Sequence, residues 1–509
     1  MTAVSLVAGW VALWPIRERL GPGGYHLAAY PVGLVLWPTA FALLSLLGLG
    51  LWLPSVIAAL AVTLFVATSL LELGAGDSDA GSPVAVWTYA GWGFLVLGVA
   101  AAVGLSGITS AAYDSVFHYE RWGMWLADGG PLTIDLAGAY SLFIPSVHAA
   151  NRFFGADWTS TPYPVLSLHV AATLVMAVGQ WGRRRVGPGV SATLAAVFMV
   201  LLVTTPRYIH HTLYVHSHMI TAAYLAIALY SLQRAYLGGH DAGESVPGPT
   251  QRAWALVAGL MSGGFALTRT DGIAYVALII AVASLLHLES PRSRPTHALF
   301  VGATAVPIAL SYWSLYAELG MWEARKLSGE TAALVLLVLS VGVLLTLFAS
   351  LLPRLGEWLT VRGHAMALTV VLEVIALVAL AVLFTDTFIE ATTNMATNLF
   401  RTGGNGYLWY FAAGTVLASL LWGGQWRAGR WPRYVFFSMV TFFVIAIAVH
   451  TTGHPGRPSP ADSFNRVSFH VIPLVFWYVA MVVTSLVAEY RGTPDDREQR
   501  VPGRYPLSG

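Results

Sequence analysis

Four short stretches of this chain carry the residues that could do chemistry. The first is SAAYDSVFHYERWGMWLADGG at 110–130. Its Asp114 sits where an apolar run meets an amphipathic one. A carboxylate at such a junction caps a helix by accepting from free backbone N–H groups. It also suits a general base, taking a proton from a hydroxyl at a low-dielectric surface. Residue chemistry alone favours the cap, and the two roles can coincide. The second stretch, RYIHHTLYVHSH at 207–218, holds four of the chain's 15 histidines. Imidazole suits transition metals, but no pair is spaced i,i+4 as on a helical metal face. His216 and His218 could converge only from an extended or turn segment, and a hydrogen-bonded polar loop is the plainer reading. The third is Thr268-Arg269-Thr270-Asp271-Gly272, where Arg269 either pairs with Asp271 or faces a phosphate at a helix N-terminus. In the fourth, Asp462, Arg466 and His470 stand at i, i+4 and i+8 and would share one helix face. They form either an Asp–Arg pair capping a span or a cationic wall. Arg325-Lys326 adds a second cationic pair, with Glu323 as a local competitor.

The elements that must position these groups are membrane helices. Of 509 residues, 56% are hydrophobic and 10% charged, against roughly 25% charged in a soluble domain. Apolar runs approach the ~20 residues that cross a bilayer. They lie at 3–16, 27–48, 54–73, 86–108, 164–181, 189–206, 216–236, 253–267, 272–288, 297–317, 331–352, 365–386, 407–423, 434–450 and 468–488. The expected fold is all-α, a polytopic transmembrane helical bundle of about 13–15 spans. The run 3–16 reads as an uncleaved anchor, since it lacks a basic start and a cleavage site. The runs 253–267 and 272–288 read as two partial spans meeting at Arg269. Glu373 is the only acid well inside a run, where it would be protonated or face a polar interior.

Several functions are excluded or disfavoured. Without cysteine there is no disulfide, thiolate metal site or cysteine nucleophile. The net charge of +2 gives no reason to expect nucleic acid, and no GxxxxGK[ST] loop suggests ATP hydrolysis. The basic residues, all Arg except Lys326, alternate between loops with a two-to-one bias. That bias puts the C-terminus in the cytoplasm. Loops 109–163, 207–218, 318–330, 387–406 and 451–467 then fall on the outer face. In the first, Val116, Tyr119, Trp122 and Leu126 predict an interfacial helix over 115–127. Ser115, His118, Glu120 and Arg121 would lie on its other side.

Tyr113-Asp114-Ser115, His118-Tyr119, Trp122 and the Gly129-Gly130 turn resemble the first outer loop of GT-C glycosyltransferases. The protein mannosyltransferase-like and aminoarabinose transferase-like families, which use polyprenyl-phosphate sugars, are of this type. Further likenesses are Pro162-Tyr163-Pro164, ALTRTDG at 266–272 and DSFNRVSFHVIP at 462–473. Together they cover 109–290 and the last loop and span. Two features depart from the family: four apolar runs precede Asp114, and Tyr214-Val215-His216-Ser217-His218 stands where many relatives carry an acid.

The resemblance implies a GT-C-like division into N-terminal helices (1–108), a catalytic outer loop (109–163), a core (164–290), C-terminal helices (291–488) and a cytoplasmic tail (489–509). It implies Asp114 as catalytic base and an inverting transfer at the outer face of the plasma membrane. Arg269, Arg466, His470, Arg325 and Lys326 would hold the donor phosphate, with His216 and His218 as second-loop candidates. The expected partners are the lipid bilayer, a polyprenyl-phosphate sugar donor and a glycan, lipid or protein acceptor. No nucleotide or organic cofactor is expected, and a divalent cation is left open. The alternative is a transporter or flippase for a lipid-linked saccharide.

Overall fold

The computed structural model describes residues 2–47, 56–57, 61, 119–130, 143–155, 160–237, 248–269, 272–288, 364–402, 407–421, 430–452 and 463–491. Asp114, Asp271, Arg325, Lys326, Asp462 and the apolar runs 86–108, 297–317 and 331–352 lie outside them, as does the run 54–73 apart from residues 56, 57 and 61. Within the described residues the chain is helical, with no strand.

Helix α1, Thr2–Leu13, has 12 residues, or ~18 Å at 1.5 Å per residue, which is short for a ~30 Å hydrocarbon core. It doubles back on α2, Arg17–Leu46, through the 3₁₀ turn Trp14–Ile16. The expected anchor at 3–16 is therefore half of a hairpin. Two glycines allow the approach: a methyl on Gly9 would sit 1.7 Å from the Ala29 carbonyl oxygen, and one on Gly33 1.7 Å from that of Ser5. Small residues at a helix crossing let backbones touch where lipid supplies no hydrophobic drive. Trp37 Nε1 donates to Ser5 Oγ at 3.0 Å, and Trp10 Nε1 to His26 Nδ1 at 2.9 Å.

The loop 109–163 contains two packed helices, α3 (Arg121–Ala127) and α4 (Phe143–Phe153). Tyr119 and Leu126 are buried as the periodicity requires. Glu120, expected on the exposed side, is also buried, because α4 covers that side. Gly129, at φ 80°, ends α3 in the left-handed conformation that favours glycine.

Prolines start the next three helices, where a missing N–H costs nothing. These are α5 (Pro162–Val186), α6 (Pro188–Val203) and α7 (Pro206–Leu213). Between α6 and α7 the axis bends by 67°, since Thr205 before Pro206 is extended at ψ 125°, as the residue before proline prefers. The His-rich stretch, expected as a loop, is thus helical over 206–213.

Helix α8, Ser217–Leu237, runs through the centre, with every residue from Ser217 to Gln233 buried. Several of its polar groups find partners on neighbouring helices. Thr221 meets Thr268 at 3.0 Å, Tyr224 donates to the Pro31 carbonyl at 2.7 Å, and Tyr230 donates to Gln180 at 3.2 Å. Helices α9 (Gly248–Thr268) and α10 (Gly272–Leu288) pack together, and Gly272 N donates to the Arg269 carbonyl at 3.0 Å. The expected partial spans form a helical hairpin, the first reaching five residues further back.

Helix α11, His364–Leu383, is followed by α12, Thr385–Thr397. The expected loop 387–406 is therefore largely helical, continuing as a π turn over Asn398–Thr402. Helices α13 (Leu408–Leu421) and α14 (Arg430–Thr452) follow. The short α15 (Ser463–Ser468) passes through a 3₁₀ turn, Phe469–Val471, into α16 (Ile472–Arg491).

Among the described residues, four helices are long and apolar enough to cross a bilayer: Pro162–Arg183, Met366–Leu383, Trp431–Thr452 and Arg466–Arg491. The bent pair α6 and α7 makes a fifth if it is one span. This is fewer than the 13–15 expected. Four of the apolar runs lie outside the described residues, one of them but for residues 56, 57 and 61. Of the rest, α1, α10 and α13 are too short, while α2, α8 and α9 mix polar residues, Gly or Pro into their apolar sequence.

Candidate functional site

One end of the bundle gathers histidines and arginines from distant parts of the chain. Helix α7 brings His211, and the extended residues after it bring His216. The first turn of α8 brings His218, the 3₁₀ turn before α16 brings His470, and α15 brings Arg466. All four imidazoles are buried, none more than 5% exposed.

The rings form a stack. His216 and His218 lie parallel with centroids 4.2 Å apart, and His218 and His470 follow at 5.2 Å. His211 stands 5.2 Å from His218, with Phe469 on its other side at 4.2 Å. His218 Nδ1 and His470 Nε2 are 3.0 Å apart and share a hydrogen bond. Arg466 Nη1 is 3.5 Å from His216 Nε2. A guanidinium only donates, so Nε2 accepts and the His216 proton sits on Nδ1, facing Ser217 Oγ at 3.2 Å. Arg269 lies close enough to act electrostatically on His218 and His470. Tyr119, at the start of the stretch that leads into α3, meets His216 edge-on at 5.5 Å.

The cluster brings together five of the residues singled out by the sequence: Arg269, Arg466, His470, His216 and His218. Asp114, Arg325 and Lys326 lie outside the described residues. Of the expected i, i+4, i+8 set, Asp462 lies outside the described residues, while Arg466 and His470 both reach the cluster across the 3₁₀ turn Phe469–Val471. His211 is a member that spacing did not reveal. It is seven positions from His218, a separation that would suggest one helix face, yet the chain leaves the helix between them.

Among the described residues, neither ring nitrogen of His211, nor His218 Nε2, nor His470 Nδ1 has a hydrogen-bond partner. A buried polar atom left so costs about 1–3 kcal/mol, and such atoms call for a ligand or water. No group of three or more His, Asp or Glu among the described residues is arranged to hold a metal ion; parallel stacked rings do not aim their lone pairs at one point. Two guanidiniums beside imidazoles that offer N–H donors suit an anion.

A second polar feature, unsuspected from the sequence, joins α3 to α4. Glu120 Oε2 hydrogen-bonds His148 Nδ1, with both side chains largely buried. Gly123 allows this contact, since a methyl there would lie 2.4 Å from His148 Cβ and 3.2 Å from the Pro145 carbonyl oxygen. Gly123→Val is expected to pry the two helices apart at a cost of about 1–3 kcal/mol. Limited proteolysis reads it: cleavage within 119–155 should accelerate in the variant, and an unchanged rate would mean the pair tolerates the volume.

No family model, curated protein or solved structure matches the chain. What fold and site define together is a class: an all-helical bundle with membrane-length helices and a buried imidazole–guanidinium cluster at one end.

Proposed function

We propose that the protein is a membrane glycosyltransferase of the GT-C type, working at the outer face of a plasma membrane. It transfers a sugar from a polyprenyl-phosphate donor to a hydroxyl acceptor on a glycan, lipid or protein. The observation that carries the reading is the meeting of Arg269, Arg466, His216, His218 and His470 in one buried cluster beside Tyr119. In the transfer, the acceptor oxygen attacks the anomeric carbon while Asp114 accepts its proton. The bond from that carbon to the phosphate oxygen breaks, and Arg269 and Arg466 stabilise the charge that develops there. Arg325 and Lys326 belong to the same proposal as further phosphate ligands. A lipid-linked donor fits an outer-face enzyme because nucleotide sugars stay in the cytoplasm.

The test uses full-length protein in liposomes, labelled polyprenyl-phosphate sugars and crude membrane acceptors. Wild type should consume one donor. Arg466→Gln should raise the donor KM about 10–100-fold, the loss of a charged hydrogen bond worth roughly 1.5–3 kcal/mol. If wild type consumes none while labelled lipid crosses the bilayer, the protein is a transporter and the proposal fails.

A further inference from the structure

The His218–His470 pair is built to move a proton. One N–H lies between His218 Nδ1 and His470 Nε2, 3.0 Å apart, and it belongs to either ring. If His470 donates it, His218 carries its own proton on Nε2 and His470 has a lone pair on Nδ1. If His218 donates it, those outer roles reverse. In either state one outer nitrogen offers a proton and the other accepts one, and neither has a partner among the described residues. An apolar pair of the same shape would fill this place without leaving two buried polar atoms unmet.

The surroundings give the pair a direction. His218 is stacked on His216, the imidazole that faces Arg466. That stack links His218, through His216, to a guanidinium proposed to hold the phosphate. His470, at the other end of the stack, meets Phe442 edge-on at 5.9 Å. Among the described residues, His211, His216 and Arg269 act electrostatically on the pair, and all are basic.

We infer that His218 and His470 form a relay that protonates the departing lipid phosphate, His218 giving its Nε2 proton to the phosphate oxygen. This deepens the glycosyltransfer reading and rests on it. As the bond from the anomeric carbon to that oxygen breaks, the electron pair stays on the oxygen, which takes the proton from His218 Nε2. The shared proton crosses from His470 Nε2 to His218 Nδ1, and His470 Nδ1 takes from Asp114 the proton that the acceptor hydroxyl gave it, which returns Asp114 to a carboxylate. The acceptor's proton has in effect been moved to the phosphate, and both rings end neutral. Exchange with water resets the tautomers once the products have left.

Glutamine separates this role from simple anion holding, because it can donate one hydrogen bond and accept another but cannot pass a proton through. His218→Gln and His470→Gln are measured in reconstituted full-length protein with the polyprenyl-phosphate sugar that wild type consumes. Each should lower kcat about 100-fold, within the usual range for lost proton transfer, with donor KM within about 3-fold. Wild-type kcat should also fall in heavy water, and that isotope effect should shrink in both variants. A raised KM with kcat intact would overturn the relay and leave the rings as phosphate ligands. Wild-type activity in both variants would overturn it too. Thermal unfolding of each variant shows that a lost rate is not lost folding, and a wild type without turnover removes the transfer reading and the relay together.

Discussion

Gly33→Ala is expected to be among the most damaging single-methyl changes in the bundle. Its new Cβ would sit 1.7 Å from the Ser5 carbonyl oxygen and 2.6 Å from the carbonyl carbon. Both are backbone atoms, so no side chain can swing aside, and α1 must move off α2 by more than an ångström. That shift also strains the bonds from Trp37 to Ser5, Trp10 to His26 and Tyr25 to the Trp10 carbonyl. Overpacking of this kind costs about 1–3 kcal/mol, and each weakened hydrogen bond adds up to about 1 kcal/mol. Thermal unfolding in detergent should show the midpoint falling by several degrees. Gly179→Ala is the control: no described atom lies within 4 Å of its Cβ, and alanine gains up to about 1 kcal/mol over glycine in a helix interior. Equal midpoints for Gly33→Ala and wild type would mean that the two helices do not pack as closely as described.

Asp114→Asn should cut turnover by about 10²–10⁴-fold, the range for removing a positioned general base. Asparagine caps helices about as well as aspartate, so this variant keeps any capping role and removes the basic oxygen. Asp114→Ala removes both. If Asn is inactive while still binding donor, Asp114 is the base. If Asn is active and only Ala is impaired, Asp114 is a cap and the base lies elsewhere. Asp128 would then be a poor substitute, being exposed and 4.0 Å from Arg152; Asp135 would be tested next.

What the sequence told of this fold follows from what an apolar run can encode. Helices α5, α11, α13, α14 and α16 appear close to where hydrophobic length places them, because burial in lipid needs only apolar side chains and helical backbone. Helix α12 was missed because TDTFIEATTNMAT is polar enough to read as a loop. Helix α4 was missed because its apolar face is partnered only once α3 lies against it. The same limit applies to the site. Arg269, Arg466 and His470 were found as charges near span ends, where charge is costly and tends to be functional. Glu120 and His148 are 28 positions apart with no local pattern linking them, and His211 joins the cluster only because the chain turns sharply after α7. Side chains that meet through tertiary folding leave no periodicity to read.

Helix α11 shows what one polar atom can settle. None of its membrane-length window is buried inside the protein, so in hydrocarbon almost any face could turn inward at nearly equal free energy. Its half-buried residues Met366, Thr369, Glu373, Leu377 and Leu380 nevertheless mark one stripe. Glu373, the helix's only acid, accepts from Thr441 of α14 at 2.5 Å. Turning the helix by half a revolution would carry that carboxyl group into lipid, at a cost of a few kcal/mol on insertion scales. The carboxyl–hydroxyl contact thus fixes the helix's rotational register. Most of the helix can then drift among apolar residues without losing its orientation, provided position 373 keeps a group that Thr441 can hold.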